Sequence, residues 1–169
     1  MSREIRYTYR CSSSRDMTAA DPRKFPFPPG IPLIALLLAW LLGRIWPIPI
    51  HWRGWTRWLG WFLFFSPFLL VIWANSTFRR HNTVANPLGK VTTIVTAGPY
   101  RYSRNPMYVG LLVFYVGATL AFCLPWAAIL LVPVFLALQY IVIIPEERYL
   151  QAAFGDQYTA YRRRVRRWL

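Results

Sequence analysis

Acids and cysteines are scarce in this chain. Its 169 residues hold six Asp and Glu against twenty Lys and Arg, a formal charge of +14. Two cysteines, Cys11 and Cys123, are too few for the disulfide framework that staples small secreted domains. Charged residues of both signs make up only 15%, where about a quarter is usual in soluble proteins. No G-x-G-x-x-G run, Walker loop or zinc-spaced Cys/His cluster occurs, so the familiar nucleotide and metal motifs are missing and no metal is expected. His51 and His81 stand alone and read as polar interface residues.

Apolar side chains are plentiful: 56% of residues are hydrophobic and nine are tryptophan. A disordered basic tail lacks such content. A soluble domain of this size cannot hide that much apolar surface. The class that remains is an all-α integral membrane protein whose charges are segregated from its spans.

Uncharged windows make the spans countable. Residues 25–43 carry no charge over 19 positions, 58–78 none over 21, and 105–145 none over 41. About 20 helical residues cross a bilayer core of roughly 30 Å. The third window would reach about 60 Å as one helix, so it must double back. Cys123-Leu124-Pro125 is the expected turn, because proline is tolerated in a helix's first turn and disruptive further in. Four spans are expected, at 31–47, 56–76, 107–123 and 126–144, continuous rather than alternating and therefore helical. Gly110, Gly117 and Ala121 share a face of the third, which suits close helix packing. Pro67 and Pro133 are expected to kink the second and fourth.

Charge placement orients this arrangement. With four spans, 17 of the 20 Lys and Arg fall on the side holding both termini and the middle loop; Arg44, Arg53 and Arg57 lie opposite. The positive-inside rule makes the crowded side cytoplasmic, and all six acids share it. Trp46, Trp52, Trp55 and Trp58 suit an aromatic belt at the outer boundary. Residues 1–30 read as a polar, flexible cytoplasmic tail, too charged for a signal peptide, and 31–169 as one membrane-embedded domain.

Beyond the fourth span, Leu150, Phe154, Tyr158, Tyr161, Val165 and Trp168 recur at helical spacing among Arg162, Arg163, Arg164, Arg166 and Arg167. This predicts one amphipathic helix at the cytoplasmic headgroup boundary, with arginines reaching lipid phosphates. Membrane lipids are thus expected partners. Nucleic acid is not, since the arginines adjoin a membrane anchor and no recognition motif accompanies them.

Two segments carry more than a span requires. The loop from Thr92 to Tyr108 is dense in hydroxyls, aromatics and arginine, and Pro145-Glu146-Glu147 places two acids where the hairpin re-emerges beside it. Carboxylates accept from hydroxyls or an ammonium, arginines bind a carboxylate, and tyrosines stack on a base or a cation. S-adenosylmethionine presents all of these groups. An interfacial belt of tyrosines, with arginines on lipid phosphate, uses the same residues.

The order of residues adds a resemblance. Thr96-Ala97-Gly98-Pro99-Tyr100, then Arg104-Asn105-Pro106-Met107-Tyr108-Val109-Gly110, then Glu146-Glu147, Phe154-Gly155, Tyr158 and Tyr161, is similar to the signature of the isoprenylcysteine carboxyl methyltransferase and phospholipid methyltransferase superfamily. It covers about residues 79–168. The resemblance implies an integral membrane enzyme that transfers a methyl group from S-adenosylmethionine to an amphiphilic or lipid-like acceptor. Matched positions implicate Thr92, Thr93, Ile94, Val95, Tyr100, Asn105, Pro106, Met107, Tyr108 and Glu146 at the cofactor. Arg104 and Glu147 are implied to organise the site or help deprotonate the nucleophile. Thr92 and Asn105 stand where prenylcysteine-type members often have His, and Ile141 to Ile144 occupy the place of a substrate-side arginine. That stretch cannot neutralise a carboxylate, which leaves amine, thiol and other acceptors open. A non-catalytic lipid- or partner-binding module and a membrane reductase sharing the hairpin are the competing readings.

Overall fold

The computed structural model describes residues 27–50, 52–80 and 96–169. Among these there is no strand. Helix α1 is Gly30–Ile45, α2 is Gly54–Arg80, α3 is Pro106–Ala121 and α4 is Pro125–Ala137. A 3-10 turn, Gly98–Arg101, precedes α3. A π-helical turn, Leu138–Ile143, runs from α4 into α5, Ile144–Phe154, and α6 is Asp156–Arg164.

Two helical stretches are long and apolar enough to cross a membrane: Gly54–Thr77 and the continuous Pro125–Phe154. Gly30–Ile45 and Pro106–Ala121 are apolar but shorter. At 16 residues each spans about 24 Å, less than a bilayer core of roughly 30 Å. The outward faces are greasy. Ile34, Phe62 and Leu69 are each about two-thirds exposed, which in water would be a continuous aggregation surface and in lipid costs nothing. Trp46, Trp55 and Trp58 also stand exposed at the α1–α2 end, as a membrane-boundary belt requires.

The doubling-back occurs where the sequence indicates. The Leu124 amide donates to the Thr119 carbonyl (2.9 Å) and the Cys123 amide to that of Leu120 (3.4 Å), the paired bonds of a Schellman ending. Cys123 takes the left-handed position (φ 54°) that glycine usually fills, and Pro125 opens α4.

Helices α2 and α3 pack through missing side chains. A Cβ on Gly117 would collide with the Phe64 backbone, and one on Gly60 with the Ala121 backbone. Gly110 meets the Leu70 side chain on the same face. With no hydrophobic drive between helices in lipid, such close approach recovers dispersion energy. A second cluster joins α1, α3, α4 and the π turn through Ala39, Tyr115, Ala127, Val134, Leu138 and Val142. Tyr115 is fully buried there, and its hydroxyl donates to the Ala127 carbonyl (2.9 Å), so its burial leaves no orphaned donor.

The region beyond α4 departs from the expected single helix. Gly155, at φ 50°, ends α5, and α6 closes at Val165, which is extended. Tyr158, Tyr161 and Val165 are buried with Leu150 and Phe154 packed on them, so the periodic stripe is a protein-facing surface rather than a lipid-facing one. Folding α6 back on α5 gives these rings a partner within the chain.

Replacing Gly117 by leucine should force α2 and α3 apart and cost about 1–3 kcal/mol. Thermal unfolding in detergent should show it, while Gly54→Ala, whose added Cβ meets nothing, should unfold like the wild type.

Candidate functional site

The site begins with the turn before α3. Gly98 has φ 61°, a conformation that costs a side-chain-bearing residue, and an added Cβ would strike the Thr77 hydroxyl of α2. A glycine there brings the 3-10 turn down onto α2, with buried Pro99 next to it. Pro106 then starts α3 at the position where its missing N–H is harmless.

This geometry carries Tyr108 to the far side of the hairpin. Its hydroxyl donates to Glu146 Oε2 at 2.7 Å, across 38 residues of sequence. Tyr100 joins them: burial raises its phenol pKa first, and the nearby Glu146 charge and Tyr161 raise it further, so it stays a neutral donor. The Tyr161 hydroxyl donates to the Tyr100 carbonyl (2.7 Å) and fixes the 3-10 turn from below. Burial pushes the Tyr161 phenol itself up to about 12, with Tyr158 adding to the rise and Arg104 opposing it.

Beside this pair lies a buried ionic cluster. Glu147 is only 6% exposed. Arg167 grips it with Nε 3.1 Å from Oε1 and Nη2 2.6 Å from Oε2. Arg104 Nη1 sits 2.9 Å from Oε1, close enough to pair but off the line of its N–H bonds. Both Glu147 oxygens are thus engaged by arginine, which ties the turn before α3 to the segment after α6. Bonding to Glu147 raises the Arg167 pKa, in the sense expected of a cation held by a carboxylate.

The segment following α6 is stitched over the same turn. The Arg104 amide donates to the Arg166 carbonyl (3.0 Å), and the Asn105 side-chain amide and the Ser103 hydroxyl donate to the Arg167 carbonyl (3.0 and 3.4 Å). The Trp168 indole donates to Gln139 Oε1 (3.0 Å), and its ring lies 5.1 Å from that of Phe135.

The structure therefore brings together Tyr100, Arg104, Asn105, Pro106, Tyr108, Glu146 and Glu147. It spends Asn105 on the chain, buries Pro106, and leaves Met107 two-fifths exposed on the first turn of α3. Thr92, Thr93, Ile94 and Val95 lie outside the described residues, as does His81. No group of three or more His, Cys, Asp or Glu able to hold a metal occurs among the described residues.

Comparison with known proteins gives these motifs a family. The model of the phospholipid methyltransferase family matches residues 55–157, more than half of the chain. The chain belongs to that family. It is also 39% identical over 72 residues to protein-S-isoprenylcysteine O-methyltransferase B of Arabidopsis thaliana, covering 43% of this chain and 36% of that protein. An uncharacterized protein of Haemophilus influenzae is 37% identical over 65 residues, which is 37% of this chain and 100% of that protein. The chain thus spans about a third of the length of the Arabidopsis relative and all of the Haemophilus one. No solved structure matches. Both named matches, the family and the Arabidopsis protein, are methyltransferases.

Several residues of this cluster are not legible in the sequence as parts of it. Arg167 was expected at lipid phosphate, one of five arginines in a row of six; instead it turns inward to Glu147. Nothing local separates it from Arg166, because its partner lies 20 residues away. Gln139 likewise acts through a contact 29 residues distant, and Ser103 through one 64 residues away beside its local bond from the Asn105 amide. Tyr161 carried a visible signal, its place on the apolar stripe.

Glu147→Ala should strand Arg104 and Arg167 around an emptied site. Breaking a buried pair this way costs about 3–5 kcal/mol. Denaturation in detergent should register that loss, whereas Asp156→Ala, at an exposed acid, should change little.

Proposed function

We propose that the chain is an S-adenosylmethionine-dependent methyltransferase that modifies an amphiphilic, lipid-borne acceptor at the cytoplasmic membrane surface. The hydrogen bond from Tyr108 to Glu146 carries this reading, since it joins the two halves of the family signature at one point.

The residues present suit this cofactor. Glu146 accepts from Tyr108 at Oε2, and a carboxylate has further lone pairs suited to ribose hydroxyls or an ammonium. Buried Arg104 Nε has no partner among the described residues, an orphaned donor of the kind a carboxylate satisfies. Tyr100 and Tyr108 add ring faces suited to a base or a cation. When bound, S-adenosylmethionine supplies a methyl group already activated on sulfur. The task left to the protein is alignment and exclusion of water. Tyr108, held by Glu146, fixes one wall of that site, and the 3-10 turn anchored by Tyr161 fixes another.

An acceptor with an apolar chain suits the neighbouring surface. A groove of about 430 Å³ lies between α3 and α4, lined only by apolar side chains that include Leu112, Val116, Leu131 and Phe135. Leu112 is one helical turn beyond Tyr108, so the groove opens within a turn of the polar site. For four spans, the 17-to-3 distribution of basic residues supports an orientation with both termini and the middle loop in the cytoplasm. The family match favours methyl transfer over the reductase and the non-catalytic readings.

Purified protein in detergent should bind S-adenosylhomocysteine by calorimetry. Tyr108→Phe and Glu146→Ala should each weaken binding at least tenfold, the scale of losing a hydrogen bond to a charged group. Unchanged affinity in both variants overturns the assignment. Incubation of radiolabelled S-adenosylmethionine with lipid extracts, prenylcysteine analogues and small thiols should label a single class and so identify the acceptor.

A further inference from the structure

The buried line of the long helix changes register partway along. Ala127, Val134, Leu138 and Val142 face inward at spacings of seven, four and four. From Ile143 the inward positions are Ile143, Glu147, Leu150 and Phe154, at spacings of four, three and four. The second line is displaced from the first by one residue, and the π turn Leu138–Ile143 takes up the difference. One residue is about 100° of helix rotation. Were α4 to continue as plain α-helix, Glu147 would swing about that far from Arg104 and Arg167, and Glu146 would leave Tyr108 with it.

A π turn packs its backbone less favourably than an α-helix, so a chain keeps one only where its surroundings favour it. Here two ties straddle the offset. Trp168 holds Gln139, the second residue of the π turn, and Arg167 holds Glu147, one turn past its end. Both come from the segment whose backbone accepts from Ser103, Arg104 and Asn105, so one strip of chain links the turn before α3 to both sides of the register change.

We propose that Arg167 and Trp168 are positioning residues that hold the π turn and the start of α5 in the one register that brings Glu146 to Tyr108. The functional half of this proposal rests on the methyltransferase reading above; the structural half does not. Their bonds run to Glu147 and Gln139, one step removed from the Tyr108–Glu146 pair. Arg167 acts through Glu147, adjacent in sequence to Glu146, and Trp168 acts through Gln139.

The experiment uses the full chain in detergent and two measurements. Hydrogen exchange of residues 138–147 reads how firmly the π turn and the start of α5 are held, and calorimetry with S-adenosylhomocysteine reads the site. Arg167→Met should speed exchange in this stretch at least tenfold while leaving α2 and α3 as slow as in the wild type, and should weaken binding at least tenfold. Arg167→Lys, which keeps the charge but not the two-pronged grip, should recover part of both. Trp168→Phe keeps a ring against Phe135 but loses the indole donor; it is the milder variant and should shift both readings in the same direction by a few fold. Arg164→Met, at an exposed arginine, should shift neither. Unchanged exchange in Arg167→Met and Trp168→Phe overturns the proposal, and so does faster exchange with undiminished binding. Failure of the wild type to bind S-adenosylhomocysteine would instead sink the methyltransferase reading, with the exchange measurement still deciding whether the ties set the register.

Discussion

A carboxylate buried in an apolar helical protein must be neutralised where it lies, and the ionic cluster at Glu147 meets that constraint. Taking an ion out of water costs several kcal/mol, and the penalty is offset only by good geometry and full hydrogen bonding. Arg167 supplies the geometry with a two-pronged grip, and Arg104 adds a second positive charge at 2.9 Å. Meeting this requirement draws three separate pieces of chain to one point: the turn before α3, the start of α5 and the segment after α6. Glu146 and Tyr108 inherit their placement from that convergence. A buried ion pair of this kind adds little net stability against an apolar replacement, so its value here lies in specifying a single arrangement.

The apolar part of the molecule divides its labour between tight and loose contacts. Glycines at 60 and 117 let α2 and α3 touch backbone to backbone, which gives the motif-bearing helix a rigid support. Between α3 and α4 the packing leaves an apolar groove instead. A site at the junction of a rigid wall and an open groove suits the proposed methyl transfer, in which a polar cofactor and a greasy acceptor would reach the same atoms from different phases.

Much of this was legible in the residues. The uncharged run of 41 positions had to double back because no bilayer is thick enough for it, and Cys123-Leu124-Pro125 was the place where a turn and a proline at N1 agree. Gly117 and Ala121 shared a face by simple helical spacing, and they do meet α2. Tyr108 and Glu146 followed from the hairpin: two segments leaving the same end of it are neighbours. The apolar stripe of residues 150–165 was visible too, but its partner was misread. Periodicity says that a face is buried and not what buries it, and Gly155 lets α6 fold that face onto the chain itself.

What the sequence determined by itself, then, were the features governed by local rules: apolar length, helical period, proline and glycine punctuation, and the separation of charge. Only the tertiary structure decided that Arg167, alike in every local respect to the arginines around it, turns inward, that Trp168 reaches Gln139, and that a π turn rotates the acids into place. Each of these depends on a partner 20 or more residues away or on a one-residue offset along a helix. Such choices are made by the energy of the whole packed arrangement, and no window of neighbouring residues contains it.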